Sequence, residues 1–272
     1  MSSTMSGGPT GALISETIPR AALVTGGARR LGRTIVLALA EAGFSVAIHH
    51  RGDQKDAAKT LRDIEALGVR GCLLQADLAR EDEVTSLMSR AAAELGPLGV
   101  LVNNASTFDR DEWDTATRES WDAHIEPNLR APFVLTQAFA AAMPDDMSGM
   151  VLNMLDERVW SLTPHFVTYT VSKSALWTLT QTMALALAPK GIRVNAIGPG
   201  PALPSPRQTE AEFRRQCAST PLRRGTSPEE VARAALSLLA LPSVTGQMLA
   251  LDGGQHMQWH PAPTNPADAV TE

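Results

Sequence analysis

The chain has 272 residues, 24 of them Lys or Arg and 29 Asp or Glu, with a formal net charge of -5. That length holds one large α/β domain or two small ones, and the mixed charge gives no electrostatic case for a nucleic-acid or membrane-surface protein. No stretch approaches the roughly 18 apolar residues of a membrane span, and Cys72 and Cys217 have neither metal nor disulfide spacing.

Residues 1–19 are rich in Ser, Gly and Thr and lack the apolar region of a secretory signal. They are expected as a floppy lead-in, and the Pro-rich 260–272 as a floppy tail. Between them, 20–259 reads as one domain of a cytoplasmic protein.

The body alternates short β-branched runs with longer segments of helical period. The first strand, 21–25, runs into "TGGARRLG" (25–32) and a helix over 31–42. A glycine turn there lets backbone N–H groups approach a pyrophosphate, and the helix N-terminus adds a favourable field; many such turns carry glycines for steric reasons alone. The second strand, 45–49, ends in "HHRGD" (49–53). A cation at that place suits the 2′-phosphate of NADP, whereas an acid would suit the ribose 2′-hydroxyl of NAD. His50 and Arg51 occupy it, Arg30 can add a second charge, and Asp53 reads as the N-cap of a helix over 53–67. Arg51 also reads as a plain solvated loop residue.

Strands follow at 71–75, 99–103, 150–154, 192–197 and 247–251, with helices at 81–95, 115–143, 168–188 and 228–240. Strands alternating with helices imply βαβ units and a parallel α/β sheet covered on both faces. "GPGPALPSPRQ" (198–208) is the least regular interior stretch, placed where such sheets put ligand-contacting loops.

Two stretches carry candidate chemistry. The single tyrosine of the chain, Tyr169, stands four residues before Lys173 in "YTVSK" and therefore on one helix face. A lysine beside it would lower the phenol pKa toward the working range; a structural Tyr and a surface Lys at helical spacing is the plain alternative. In "VLNMLDERVW" (151–160), a buried-looking strand runs into Asp156, a carboxylate that is costly to bury unless paired. Its plain alternative is a helix N-cap for a turn over 157–160. "HMQWH" (256–260) offers two histidines without a third ligand, and no metal is assigned.

Taken in order, "TGGARRLG", "ADL" (76–78), "NNAS" (103–106), Asn128, "YTVSK" (169–173), "GPG" (198–200) and "LDGG" (251–254) resemble the motifs of the short-chain dehydrogenases/reductases, with Arg30 replacing a glycine of the turn. The resemblance implies a Rossmann-type doubly wound α/β fold with a seven-stranded parallel sheet, a nicotinamide cofactor and a homotetramer, whose contact would use the long apolar face of 175–188. It places Thr25, Gly26, Arg29, Arg30, Leu31 and Gly32 at the phosphates, and Asp77 and Leu78 at the adenine. Asn104, Ala105 and Ser106 fall at the adenosine ribose and beyond it, Lys173 at the nicotinamide ribose, and Pro199 and Gly200 at the nicotinamide amide. Asn128 matches a fourth catalytic position, where an asparagine kinks the helix and holds a relay water; "EPNLRAP" with its two prolines supports an irregular helix.

Asp156 lies thirteen residues before Tyr169, where most of this family carries a serine that hydrogen-bonds a substrate carbonyl. An ionised acid accepts but does not donate, and it repels a developing oxyanion. The order Asp, Tyr, Lys, together with "RRLG", "HHR" and "NNASTF", resembles the pteridine reductases. That resemblance implies NADP(H)-dependent reduction of a C=N bond in a pterin-type substrate lying between Phe108 and the nicotinamide. Arg30 and Ser106 would then bind its polar edge, with Asp156 and Tyr169 at the reacting centre and Trp160 at its border. The alternatives are a ketone, sugar or acyl-thioester reductase, and a non-catalytic NADP-binding protein.

Overall fold

A computed structural model describes residues 13–52, 54–205 and 208–258. The expected Asp53 cap, the 260–272 tail, most of the 1–19 lead-in, and Trp259 and His260 lie outside the described residues.

The strands are β1 (Ala21–Val24), β2 (Ser45–His50), β3 (Gly71–Gln75), β4 (Val100–Asn103), β5 (Gly149–Met154), β6 (Ile192–Pro199) and β7 (Met248–Leu251). All pair in parallel in the order β3-β2-β1-β4-β5-β6-β7. The order reverses between β1 and β4, and a crevice opens beyond the carboxyl ends of the strands at such a reversal.

The helices, in chain order, are α1 (Arg30–Glu41), α2 (Gln54–Glu65), α3 (Glu81–Val84), α4 (Leu87–Leu95), α5 (Arg118–Ile125), α6 (Ala131–Ala142), α7 (Val167–Leu187), α8 (Glu210–Ser219) and α9 (Pro228–Leu239). Alternation along the strands divides the core in two. Ala22, Val24, Val102 and Leu152 pack with Ile35 and Leu39 of α1 and Val231 and Leu238 of α9. Leu23, Leu101 and Val151 pack with Leu87 of α4 and Leu135 and Phe139 of α6. Among the described residues no helix is long and apolar enough to cross a membrane.

Three expectations change. Residues 13–19 are not a floppy lead-in: Ile14 and Ile18 are buried in the core, and the Thr17 carbonyl accepts from Ser148 N. Pro19 passes so close to Gly99 that a Cβ there would meet its carbonyl oxygen at 2.2 Å. The helix expected over 115–143 is broken by a π-helical turn, Glu126–Arg130, with Pro127 inside it and Pro132 just beyond. Proline withholds an N–H from the helical ladder, so the turn widens there instead of continuing. Finally, α8 was not expected at all, although Thr209 and Glu212 form a reciprocal capping box at its start.

A buried polar chain docks α7 on the sheet. Asn103 Nδ2 donates to Asn153 Oδ1 at 2.8 Å, Asn153 Nδ2 to Thr180 Oγ1 at 2.9 Å, and Thr180 Oγ1 to the Leu176 carbonyl at 2.8 Å. Replacing Asn153 by Leu leaves the buried Asn103 amide without this partner. Urea denaturation is expected to show a loss of about 1–3 kcal/mol; an unchanged unfolding midpoint would mean the chain contributes nothing to docking.

Candidate active site

The turn between β1 and α1 is built for close approach. Gly26 has φ +62, and a Cβ on Gly32 would sit 2.2 Å from the Gly26 carbonyl oxygen, so no larger residue fits. Arg30, where the family motif has glycine, adopts the left-handed φ of 54, a conformation costly for a residue with a Cβ. Arg29, the N-cap of α1, makes no side-chain capping bond, so the helix N-terminus offers its amides to an anion. Thr25 is fully enclosed. Its Oγ1 accepts from Asn104 N at 2.9 Å and Ala105 N at 3.0 Å, and Asn104 Nδ2 donates to the Thr25 carbonyl at 2.8 Å.

His49 was missed by the sequence reading, which passed over it for His50 and Arg51. It is buried, its Nδ1 accepts from Gly26 N at 3.1 Å, and its backbone carbonyl accepts from Gly27 N at 3.0 Å. With Nδ1 accepting, the proton sits on Nε2, which donates to the Ala76 carbonyl at 3.1 Å. One neutral imidazole therefore ties the glycine turn to the residue before Asp77. Burial pushes its pKa down to about 4.

A cavity of about 760 Å³ runs along this turn. Gly26, Arg29, Arg30, Leu31 and Gly32 line it at the turn, His50 and Arg51 at the end of β2, and Asp77, Leu78, Asn104, Ala105 and Ser106 elsewhere. Among the described residues the end of β2 presents His50 and Arg51 to the cavity, with Asp56 in the first turn of α2, and the two basic side chains fit a dinucleotide bearing a 2′-phosphate.

A second cavity, of about 680 Å³, adjoins it and shares Arg30, Leu31, Asn104, Ser106 and Phe108. Asp156, Tyr169, Lys173, Pro199 and Gly200 line it. Tyr169 donates its hydroxyl proton to Asp156 Oδ2 at 2.8 Å, while Asp156 Oδ1 accepts from Arg158 N at 3.0 Å. Asp156 therefore is the N-cap of the short 3₁₀ turn Glu157–Val159 and the partner of Tyr169 at once. Lys173 Nζ donates to the Met154 carbonyl at 2.7 Å, and burial lowers its pKa to about 8. The expected lowering of the Tyr169 pKa by Lys173 is not what this arrangement gives. Burial, then the negative charge of Asp156 and its hydrogen bond, hold the phenol well above its usual range.

Phe108 lines both cavities. It stacks on Phe166 with ring centroids 4.5 Å apart and meets Tyr169 edge-on at 4.7 Å. Phe166, absent from the sequence reading, has φ 56. The loop carrying Phe108 is fixed from behind by His124: Nε2 accepts from Asp109 N at 3.1 Å and Nδ1 donates to the Ser120 carbonyl at 2.9 Å. Arg30 donates through both terminal nitrogens to the Pro204 carbonyl at 3.1 Å, joining the phosphate turn to the loop after β6. From α8, Glu212 and Gln216 also reach the second cavity.

Three expected site residues line neither cavity, the first being Thr25, which is buried beneath the glycine turn. Trp160 lines neither cavity; the 3₁₀ turn carries its ring to Trp177, 6.0 Å away and edge-on, and to His256 at 5.1 Å. Asn128 sits in the π-helical turn, as an irregular helix requires, but also lines neither cavity. Its Oδ1 accepts from Thr107 N at 2.8 Å, and Nδ2 donates to the Thr107 carbonyl at 3.0 Å and Ser172 Oγ at 3.1 Å.

Residues 26–256 match a family model described as enoyl-(acyl carrier protein) reductase. A short-chain dehydrogenase/reductase of Armillaria gallica is 33% identical over 252 residues, 86% of this chain and 95% of that protein. The chain belongs to the short-chain dehydrogenase/reductase family. A 3-oxoacyl-[acyl-carrier-protein] reductase of Staphylococcus aureus is 32% identical over 244 residues, 88% of this chain and 98% of its own length. Among solved structures, this short-chain dehydrogenase/reductase is similar to the FolM alternative dihydrofolate reductase 1 of Brucella canis, complexed with NADP. The TM-score is 0.87 and the identity 43%, covering 92% of this chain and all of the other (100%). The Brucella suis counterpart, also with NADP, gives a TM-score of 0.86 and 45% identity over 89% of this chain and 97% of the other.

The His49 clamp has a pH signature. Between pH 6.5 and about 4 the unfolded chain binds a proton on this imidazole that the folded protein does not. Stability therefore falls as pH drops through that window. Denaturant midpoints of His49→Gln, which can still accept and donate but does not titrate, are expected to fall less across the window than those of wild type. Parallel pH curves would show that His49 is not the neutral clamp.

Proposed function

We propose that this short-chain dehydrogenase/reductase reduces a C=N bond of a pterin-type substrate, using NADP(H). The observation that carries the reading is the hydrogen bond from Tyr169 to Asp156 at the floor of the second cavity. A carboxylate there is a poor neighbour for the oxyanion of a reduced carbonyl. It suits a heterocycle that presents N–H groups and a ring nitrogen requiring a proton. The NADP complexes of the Brucella proteins, and their description as alternative dihydrofolate reductases, support the same reading.

In this mechanism Gly26, Arg29, Arg30, Leu31 and Gly32 hold the diphosphate, and His50 and Arg51 the 2′-phosphate. Asp77 and Leu78 border the adenine, and Asn104, Ala105, Ser106 and Lys173 the riboses and what lies between them. Pro199 and Gly200 border the nicotinamide amide. When bound, NADPH supplies the hydride that reduces the carbon of the C=N bond. The chain supplies the rest. Phe108, backed by Phe166, offers an aromatic face to a flat ring, and Arg30 and Ser106 meet its polar edge. Tyr169 stays protonated at neutral pH because burial and Asp156 hold its proton, so it acts as the acid that protonates the substrate nitrogen. Asp156 accepts from a substrate N–H and from the phenol in turn. Asn128 fixes Thr107, and so the loop leading to Phe108. A homotetramer belongs to the proposal, with the exposed Leu185 and Val171 of α7 in the contact.

A second reading, carbonyl reduction, is favoured by the 3-oxoacyl-[acyl-carrier-protein] reductases among the relatives. The two part on one assay. NADPH oxidation is followed with dihydrobiopterin, dihydrofolate and a panel of ketones and 3-oxoacyl thioesters. Turnover of a pterin is expected, with Asp156→Ser lowering kcat/KM by about 10²–10⁴-fold. Good turnover of a ketone or thioester with none of any pterin would overturn the proposal.

A further inference from the structure

Arg158 has no part in the mechanism above, yet its side chain is 6% exposed and lines the second cavity. Its guanidinium carbon lies 4.9 Å from the centroid of the Phe166 ring and 5.7 Å from that of Phe108. Nη1 donates to Thr163 Oγ1 at 3.3 Å, and Nε stands 3.8 Å from Asp156 Oδ1. That oxygen also accepts the Arg158 backbone N–H, while the second oxygen takes the Tyr169 hydroxyl. A cation at this depth is retained only where carboxylate and π faces compensate its lost hydration. Here both do.

We infer that Arg158 is the positioning residue of this centre: its guanidinium orients the Asp156 carboxylate onto the Tyr169 hydroxyl, braces the Phe166–Phe108 stack, and offsets the negative charge that Asp156 presents to the phenol. The other charged or titratable groups around the phenol are Asp156 and Glu157 from the same turn, Lys173 from its own helix and His124 from α5. Arg30, Asp109, Arg110 and Glu212 line the cavity further out. Asp156 and Glu157 make the phenol harder to ionise, and Arg158 opposes them. Removing the cation leaves Asp156 uncompensated and makes Tyr169 a weaker proton donor. The inference takes from the reading above only that Tyr169 is the acid, and does not depend on which substrate is reduced.

The single tyrosine makes the test direct. Growth on a fluorinated tyrosine, whose phenol is more acidic, labels Tyr169 alone and brings its titration into an accessible range, read by fluorine NMR. Arg158→Met is expected to raise the titration midpoint by about one pH unit, and Arg158→Lys to stay near wild type because it keeps the charge. A folded Arg158→Met protein with the wild-type midpoint overturns the inference. Should that variant lose its near-ultraviolet circular dichroism, Arg158→Gln replaces it under the same criterion, and a raised midpoint in folded Arg158→Lys also counts against the inference. No substrate enters the titration, so a failed pterin assay leaves it standing, and a silent midpoint leaves the pterin assay standing.

Discussion

A carboxylate at the carboxyl end of a central, fully buried strand must find partners, and the site is arranged around the partners of Asp156. Oδ2 takes the Tyr169 hydroxyl from α7, and Oδ1 takes the amide of the turn that follows β5. For the first bond to form, α7 must lie at one depth against the sheet, which the Asn103–Asn153–Thr180 chain provides. The ammonium of Lys173 is held at the same level by the Met154 carbonyl, two residues before Asp156. Moving any of these by a helical turn would leave a buried phenol and a half-buried acid without each other, the unpaired phenol alone costing about 1–3 kcal/mol.

The loops around that centre are held by neutral imidazoles. His49 accepts from the glycine turn and donates beyond β3, and His124 accepts from the loop of Phe108 and donates to the Ser120 carbonyl of α5. An imidazole with one accepting and one donating nitrogen joins two backbone segments without introducing charge. A lysine or arginine could only donate, so neither could serve an amide N–H. Arg30 complements them from the other side, tying the phosphate turn to the loop after β6 through a backbone carbonyl. Arg30 is one of the residues that line both cavities.

Much of the fold was legible because its signals are local. Each strand is a short, mostly apolar run between turn residues, and the glycine turn announces itself by composition. The alternation of strands with helical segments pointed to parallel pairing. The catalytic candidates Tyr169, Lys173 and Asp156 were legible from spacing and from the family pattern. The two readings of Asp156, turn cap and partner of the reacting tyrosine, looked like alternatives in the sequence and coexist in the fold because a carboxylate has two oxygens. Helix α8 carried a readable capping box, hidden beside a proline-rich loop.

His49, Phe166 and Arg158 were not legible, because each has a partner distant in the sequence: His49 has Gly26 and Ala76, Phe166 has Phe108, and Arg158 has Phe108 beside its near neighbours Asp156 and Phe166. Trp160 illustrates the converse, since nearness to Asp156 in the sequence suggested a substrate contact that the 3₁₀ turn directs toward Trp177 instead. The sequence by itself determined the parallel sheet, the dinucleotide turn and the residue types able to move a proton, because periodicity and short motifs act over a few residues. Only the tertiary structure decided that burial and then Asp156 hold the proton on Tyr169, because desolvation and electrostatic influence depend on depth and distance, which packing alone sets.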